Sequence, residues 1–369
     1  MTDLFSKFEL KSTKLKNRIA IPPMCQYMAT DGLVNDWHRN HYAAMAHGGA
    51  GLVIVEATAV SPEGRITPKC LGLWNDDQAR LLKEVASTIK AAGAVPGIQI
   101  GHAGRKASSN IPWEGDDHIP LTESSAWETI APSAVALGGG LSRVPKEMSV
   151  QDIARVKNDF VEATKRARDA GFEWLELHFA HGYLGQSFFS THSNKRTDEY
   201  GGSYENRSRF SKEVLKAVRE VWPEHLPLTI RFGVIEYDGN DEKTLSESIQ
   251  LVKEWKELGL DFLNVSIGFS TLDSKIPWGP AFLAPVAERV RKEVGIPVGS
   301  AWGFGAPKLA DEAVRKGQLD LAMIARAFLE NPNWTYYAAK ELGHDKPAWT
   351  LPPSYAFWLE RYRSPTETK

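Results

Sequence analysis

Short apolar, β-branched runs recur along the chain. Each is followed by a few polar or glycine-rich residues and then by a longer stretch with apolar positions three and four apart. Eight runs read as strands, at 18–22, 52–56, 95–100, 174–178, 228–232, 262–266, 297–300 and 319–325. Six stretches between them read as helices, at 77–92, 150–170, 204–221, 242–258, 285–294 and 307–316. Several are closed by a glycine, Gly93, Gly171, Gly259 or Gly295, as helix ends prefer. Strands that alternate with helices pair in parallel, and eight of them close into a (β/α)8 barrel. The chain shows no linker, repeat or low-complexity tract. The expected architecture is α/β, with residues 1–369 forming a single (β/α)8 TIM-barrel domain behind an N-terminal cap.

A plain barrel takes about 250 residues, which leaves roughly 120 for additions. The third and fourth strands start about 80 residues apart, more than a simple connection needs. An insertion of about 101–149 therefore follows strand 3, on the face where barrels keep their chemistry. It carries Trp113, Trp127, several prolines and Gly138-Gly139-Gly140, and reads as a lid or capping segment.

Composition narrows the function. With 44 basic against 46 acidic side chains the net charge is −2, and 42% of residues are hydrophobic. That balance supplies no broad basic face for nucleic acid. The opening MTDLFSKFELKSTKLKNR mixes charge into its apolar residues, unlike a signal peptide, and no later run is apolar enough to span a bilayer. Two cysteines, Cys25 and Cys70, do not make a disulfide framework, so the reading is a cytoplasmic protein with free thiols.

Barrels collect catalytic groups where strands end. Strand 1 runs out through Pro22-Pro23-Met24-Cys25-Gln26-Tyr27, which places a thiol and a phenol at the rim or packs them in the core. Strand 4 ends in His178, followed by His181 and Tyr183. No third ligand with a familiar metal spacing stands near, so the expectation is no metal. The imidazoles can instead donate to a carbonyl oxygen gathering charge while the phenol gives a proton. Arg231 interrupts the apolar run of strand 5, and burying it demands either a structural carboxylate or a bound anionic group. Its strand-end position favours the second. Gln99 offers a donor and an acceptor to a heterocycle's edge. Loops 7 and 8, with Ala301-Trp302-Gly303-Phe304-Gly305 and Ala325-Arg326-Ala327, occupy the usual barrel phosphate site. Together these residues suit a planar, phosphate-bearing cofactor, and flavin mononucleotide fits.

The rim segment 22–27, the His178, His181 and Tyr183 cluster, and the run Asp198-Glu199-Tyr200-Gly201-Gly202-Ser203-Tyr204-Glu205-Asn206-Arg207-Ser208-Arg209-Phe210 resemble the bacterial branch of the Old Yellow Enzyme family over essentially the whole chain. The resemblance implies tightly bound FMN, with Pro23, Met24, Cys25, Ala57, Gln99 and Arg231 around the isoalloxazine. Ala301, Trp302, Gly303, Ala325 and Arg326 would complete the ring and phosphate contacts. It implies a ping-pong reaction in which NADPH or NADH reduces the flavin and an α,β-unsaturated carbonyl compound reoxidises it. His178 and His181 would hold the carbonyl oxygen, Tyr183 would protonate the α-carbon, and Cys25 would tune the flavin. Tyr27, Trp302 and Trp358 would line the substrate pocket, and nitro compounds and nitrate esters are further acceptors. The aromatic tail 355–363 would lie at the interface of a homodimer or higher homo-oligomer and approach a neighbour's site. One departure is Ala325, where the family usually has glycine; a methyl there would matter if the backbone needed a glycine-only conformation. Two other readings are weaker. A dienoyl-type reductase relative would need an iron–sulfur cluster and an extra domain, and a non-enzymatic scaffold would not keep Tyr183 and both histidines.

Overall fold

In the computed structural model, which describes residues 2–363, the chain opens with an antiparallel hairpin of β1 (Phe8–Leu10) and β2 (Thr13–Leu15). Eight strands then form one closed parallel barrel: β3 (Ile19–Ile21), β4 (Leu52–Ala59), β5 (Val95–Gly101), β8 (Trp174–Phe179), β9 (Leu228–Ile235), β10 (Phe262–Ile267), β11 (Val298–Ser300) and β12 (Leu321–Met323). They lie in chain order around the barrel, and β12 pairs back onto β3. The eight expected strands are these eight, with shifted ends. β4 and β9 continue three residues past their expected ends, while 319–325 shrinks to Leu321–Met323.

Side-chain alternation explains the interior. Ala20, Leu52, Ile54, Val95, Trp174, Phe262, Leu321 and Met323 pack together as a cluster inside the barrel, and Phe8 and Leu15 of the hairpin join it from below. Phe262 meets Phe8 edge-on at 6.4 Å and Trp174 at 5.2 Å. This apolar plug is the N-terminal cap. Because strand side chains repeat every two residues, the next inward positions toward the strand ends are Glu56, Gln99, Glu176, His178, Arg231, Asn264 and Ser266. The barrel interior thus turns from apolar to polar over one or two residues per strand.

The helices that cover the barrel are α1 (Asp36–His47), α2 (Asp76–Ala91), α3 (Val150–Asp169), α5 (Tyr204–Val221), α6 (Asp241–Glu257), α7 (Ala284–Val294) and α8 (Pro307–Arg315), with a short α4 (Leu184–Phe189) after β8. The chain continues into α9 (Arg326–Glu330), α10 (Trp334–Glu341) and α11 (Pro353–Leu359). Gly93, Gly171, Gly259 and Gly295 all carry positive φ, the conformation that makes glycine the natural stop after each helix. Ser203 caps α5 by accepting from the Asn206 N–H, and a Cβ at Gly201 would sit 2.4 Å from the Arg196 carbonyl oxygen. The long motif at 198–210 is therefore a folding device, as expected.

The insertion holds the small parallel pair β6 (Ile130–Ala131) and β7 (Lys146–Glu147). Its opening residues staple it to the barrel mouth. Arg105 donates to the carbonyls of Val135, Ala136 and Ser270, and Lys106 Nζ donates to those of His181 (2.6 Å) and Phe269 (3.0 Å).

Candidate active site

The end of β8 carries the first group. His178 is buried, and its ring stands nearly perpendicular to those of His181 (5.0 Å) and Tyr183 (4.9 Å). His181 and Gly182 both have positive φ, a tight reversal that turns His181 and Tyr183 back over the strand end. Burial, and then the charge of Arg231, hold both imidazoles well below the usual histidine range, so both are neutral. Hydrogen bonding then assigns the tautomers. His178 Nδ1 accepts from the Ala180 N–H, which leaves the proton on Nε2. His181 Nε2 lies 2.7 Å from Ser266 Oγ, and that oxygen already accepts from the Trp302 indole N–H at 3.0 Å. Among the described residues the Ser266 hydroxyl has no other acceptor for its own proton, so it donates to His181 Nε2, and His181 keeps its proton on Nδ1. Each ring offers one N–H. Burial also raises the Tyr183 phenol above its ordinary range, so it stays protonated.

Beside this group opens a cleft of about 440 Å³ lined by Pro23, Met24, Arg231, Ala301, Trp302, Gly303, Ala325 and Arg326 among others. Ala57, His178 and Tyr183 lie around a smaller hollow. Arg231 has no hydrogen bond or ion pair among the described residues, and its Nε is buried without a partner. A permanent charge left in that state calls for an acceptor edge from a ligand. Gln99 Nε2 donates to Glu176 at 2.7 Å, which leaves Gln99 Oε1 free to accept. At the far end Arg326 is exposed and makes no ion pair among the described residues, so it is available to a phosphate. The donor set fits FMN: Arg231 and Gln99 for the pyrimidine edge, and Arg326 with the loop backbone for the phosphate. Ala325 has φ −99°, so no positive-φ, glycine-favouring conformation is needed there.

Cys25 and Tyr27 stand further along the loop that follows β3, whose Pro23 and Met24 line the cleft. Burial pushes the Cys25 thiol well above its ordinary range, with the nearby Cys70 and Glu56 adding to the effect, and it is therefore a neutral thiol. Tyr27 adopts φ +53°, and Trp113 of the insertion meets its ring at 5.9 Å. Their loop is anchored by Glu56, whose Oε2 accepts from the Gln26 N–H at 2.9 Å.

The structure thus gathers Cys25, Tyr27, Gln99, His178, His181, Tyr183, Arg231 and Trp302 at one barrel mouth. It does not bring Trp358 there. That residue lies on α11, is 70% exposed, and stacks edge-on against Phe357. Sequence reasoning missed Glu176, Asn264, Ser266 and Glu56, although each is a polar residue two or more positions along an inward-facing apolar series. It also missed Lys106, which belongs to the irregular insertion and carries no periodic signal.

A closed barrel with a cationic pyrimidine-edge site and a phosphate end defines a flavin-dependent oxidoreductase. Comparison narrows this further: the profile of the NADH:flavin oxidoreductase / NADH oxidase family matches residues 3–345. The chain belongs to that family, the group of FMN enzymes that includes Old Yellow Enzyme. It is 43% identical over 344 residues to the NADPH dehydrogenase of Geobacillus thermodenitrificans, covering 93% of this chain and 95% of that one. Morphinone reductase in complex with tetrahydroNAD is 27% identical and superposes with a TM-score of 0.77, covering 96% of this chain and 94% of that one. The old yellow enzyme homologue from Zymomonas mobilis is 25% identical, with the same TM-score and coverages of 96% and 98%. Among the described residues no helix is long and apolar enough to cross a membrane.

Proposed function

We propose that the chain is an FMN-dependent ene-reductase that takes hydride from NADPH and reduces the activated C=C bond of α,β-unsaturated carbonyl compounds. The observation that carries this reading is the right-angled trio at the end of β8. Two neutral imidazoles with one N–H each, and a protonated phenol, stand within ring distances of 5.0 Å and 4.9 Å of His178. When bound, FMN supplies the hydride chemistry. His178 Nε2–H and His181 Nδ1–H are the donors for the carbonyl oxygen, and they polarise the alkene without themselves changing protonation state. Tyr183 holds the proton that the α-carbon receives. Arg231 favours negative charge at the pyrimidine edge, and Tyr27 adds a hydrogen bond to the substrate oxygen. Trp302 walls the pocket, its ring 6.2 Å from that of His181. Cys25 enters as a neutral thiol that tunes the flavin by contact. The same donor pair suits the oxygens of nitro compounds and nitrate esters as further acceptors. The exposed run of Tyr355, Phe357, Trp358 and Tyr362 supports a homodimer in which the tail meets a second copy.

The test is the visible spectrum of the purified protein. We expect a flavin band that bleaches under anaerobic NADPH and returns when 2-cyclohexenone is added. A band that bleaches and stays bleached with every enone tried would remove the ene-reductase reading and leave the family membership intact.

A further inference from the structure

Beneath the cleft lies a buried polar layer that the proposed chemistry does not use. Glu176 is fully buried on β8, one inward position below His178. Both of its oxygens are occupied: Oε1 accepts from Gln99 Nε2 at 2.7 Å and Oε2 accepts from Asn264 Nδ2 at 3.0 Å. Strand register fixes these neighbours. Gln99 pairs with Glu176 across β5 and β8, and Asn264 pairs with Arg231 across β10 and β9.

Burial raises the Glu176 carboxyl above its ordinary range, and the charge of Arg231 together with the two donors, Asn264 and Gln99, opposes that rise; two donors aimed at two oxygens are the arrangement of a carboxylate. Asn264 Oδ1, on the other side of that amide, is buried without a partner. Glu176 is also the one anion within the field of Arg231 among the described residues. The other groups that act on this guanidinium are Tyr183 and Cys25, and burial keeps both of them protonated. No ion pair within 4 Å joins Arg231 to Glu176, so the guanidinium remains free toward the cleft while its charge is offset from behind.

We propose that Glu176 is a positioning residue for the flavin: its carboxylate offsets the charge of Arg231 and fixes which atom of Gln99 faces the ring, and so holds down the reduction potential of bound FMN. The inference rests on FMN occupying the cleft. A bare Arg231 at the pyrimidine edge would favour the anionic reduced flavin strongly. With Glu176 behind it, the site favours that form less and passes hydride onward more readily. Gln99, with its N–H spent on the carboxylate, presents an acceptor rather than a donor to the ring edge.

The test compares Kd for oxidised and for reduced FMN, measured on apoprotein reconstituted with FMN, together with the midpoint potential. Glu176→Gln is close to isosteric, and a flipped Asn264 can accept from the new amide through the oxygen now left without a partner. We expect the ratio of Kd for oxidised FMN to Kd for reduced FMN to rise about tenfold, which for a two-electron couple is about 30 mV upward. Glu176→Asp keeps the charge and withdraws it from Gln99, so affinity should fall in both states with the ratio held near the wild-type value. A ratio unchanged or lowered in Glu176→Gln, or Asp and Gln variants that behave alike, overturns the proposal. If Glu176→Gln does not fold, Asn264→Leu removes one of the carboxylate's two donors and favours its neutral form, so it must move the ratio the same way, and no movement counts against the role. Wild-type protein that takes up no FMN in either state would instead dismiss the cofactor reading, a distinct failure.

Discussion

A single proton separates the two half-reactions at the level of side chains. Tyr183 is neutral, half-buried, and 5.9 Å from the Lys106 ammonium across its ring face. Tyr183→Phe should leave flavin reduction by NADPH intact and slow enone reduction by roughly a hundredfold or more, the usual weight of a general acid. Rapid-mixing measurement of each half-reaction checks this, and unchanged enone turnover would remove Tyr183 from the role. Such residues were legible in the sequence because His178, Arg231 and Gln99 interrupt apolar strands near their ends. Arg231 was weighed between a structural carboxylate and a bound anion, and the structure supplies part of both: Glu176 in its field from behind and an open cleft in front. The carboxylate itself went unread because Glu176 stands mid-strand, where Trp174 and Leu177 give the run the look of plain core. Only the register of β5, β8, β9 and β10 shows that it shares a layer with Gln99 and Asn264.

Among the elements, strands were easier to read than helices. Barrel strands are apolar on both faces along their lower halves, inward to the plug and outward to the helices, so their runs stand out. Helix α1 did not. Its buried face consists of His38, Tyr42, Met45 and Ala46, which carries little apolar contrast, and its start depends on Asn35 and His38 closing a reciprocal cap. Helix α11 is the other element whose role exceeds its own packing. Within one chain it buries Ala356 and touches His47 through Tyr355, while its larger aromatic side chains face outward. Removing the chain from Tyr355 onward should therefore lower both assembly and activity, as read by light scattering and enone turnover. A truncated enzyme that remains a fully active dimer would sink that assignment.

On the scale of the whole molecule, the buried acids of the barrel mouth tie stability to pH. Glu56 is held at about 7 by burial, against an ordinary 4.5, although the Gln26 N–H and the Tyr42 hydroxyl both donate to it. A carboxyl whose folded value is raised binds more protons folded than unfolded between pH 4.5 and 7. Its contribution is therefore fully present below 4.5 and is lost as pH rises through 7. Glu56→Gln cannot titrate, so wild type should lose about 3 kcal/mol relative to it across that window. Denaturant unfolding of both proteins at pH 5 and pH 8 measures the difference, and two parallel profiles would show that Glu56 does not titrate there. The histidines His38 and His102, lowered to about 4, act in the opposite direction as pH falls, which is why the comparison is between variants and not between pH values.

The hairpin plug under the barrel bears on kinetics as well as on folding. With Phe8, Trp174 and Phe262 sealing one end, the barrel among the described residues opens at the other, where Trp113 packs on Tyr27 and Trp278 on Trp302. Reductant and oxidant cannot approach from opposite sides, so under the proposed reaction each must vacate before the next arrives. Crowding by either one stalls the cycle, and an excess of enone should slow turnover by occupying the oxidised enzyme where the nucleotide must dock.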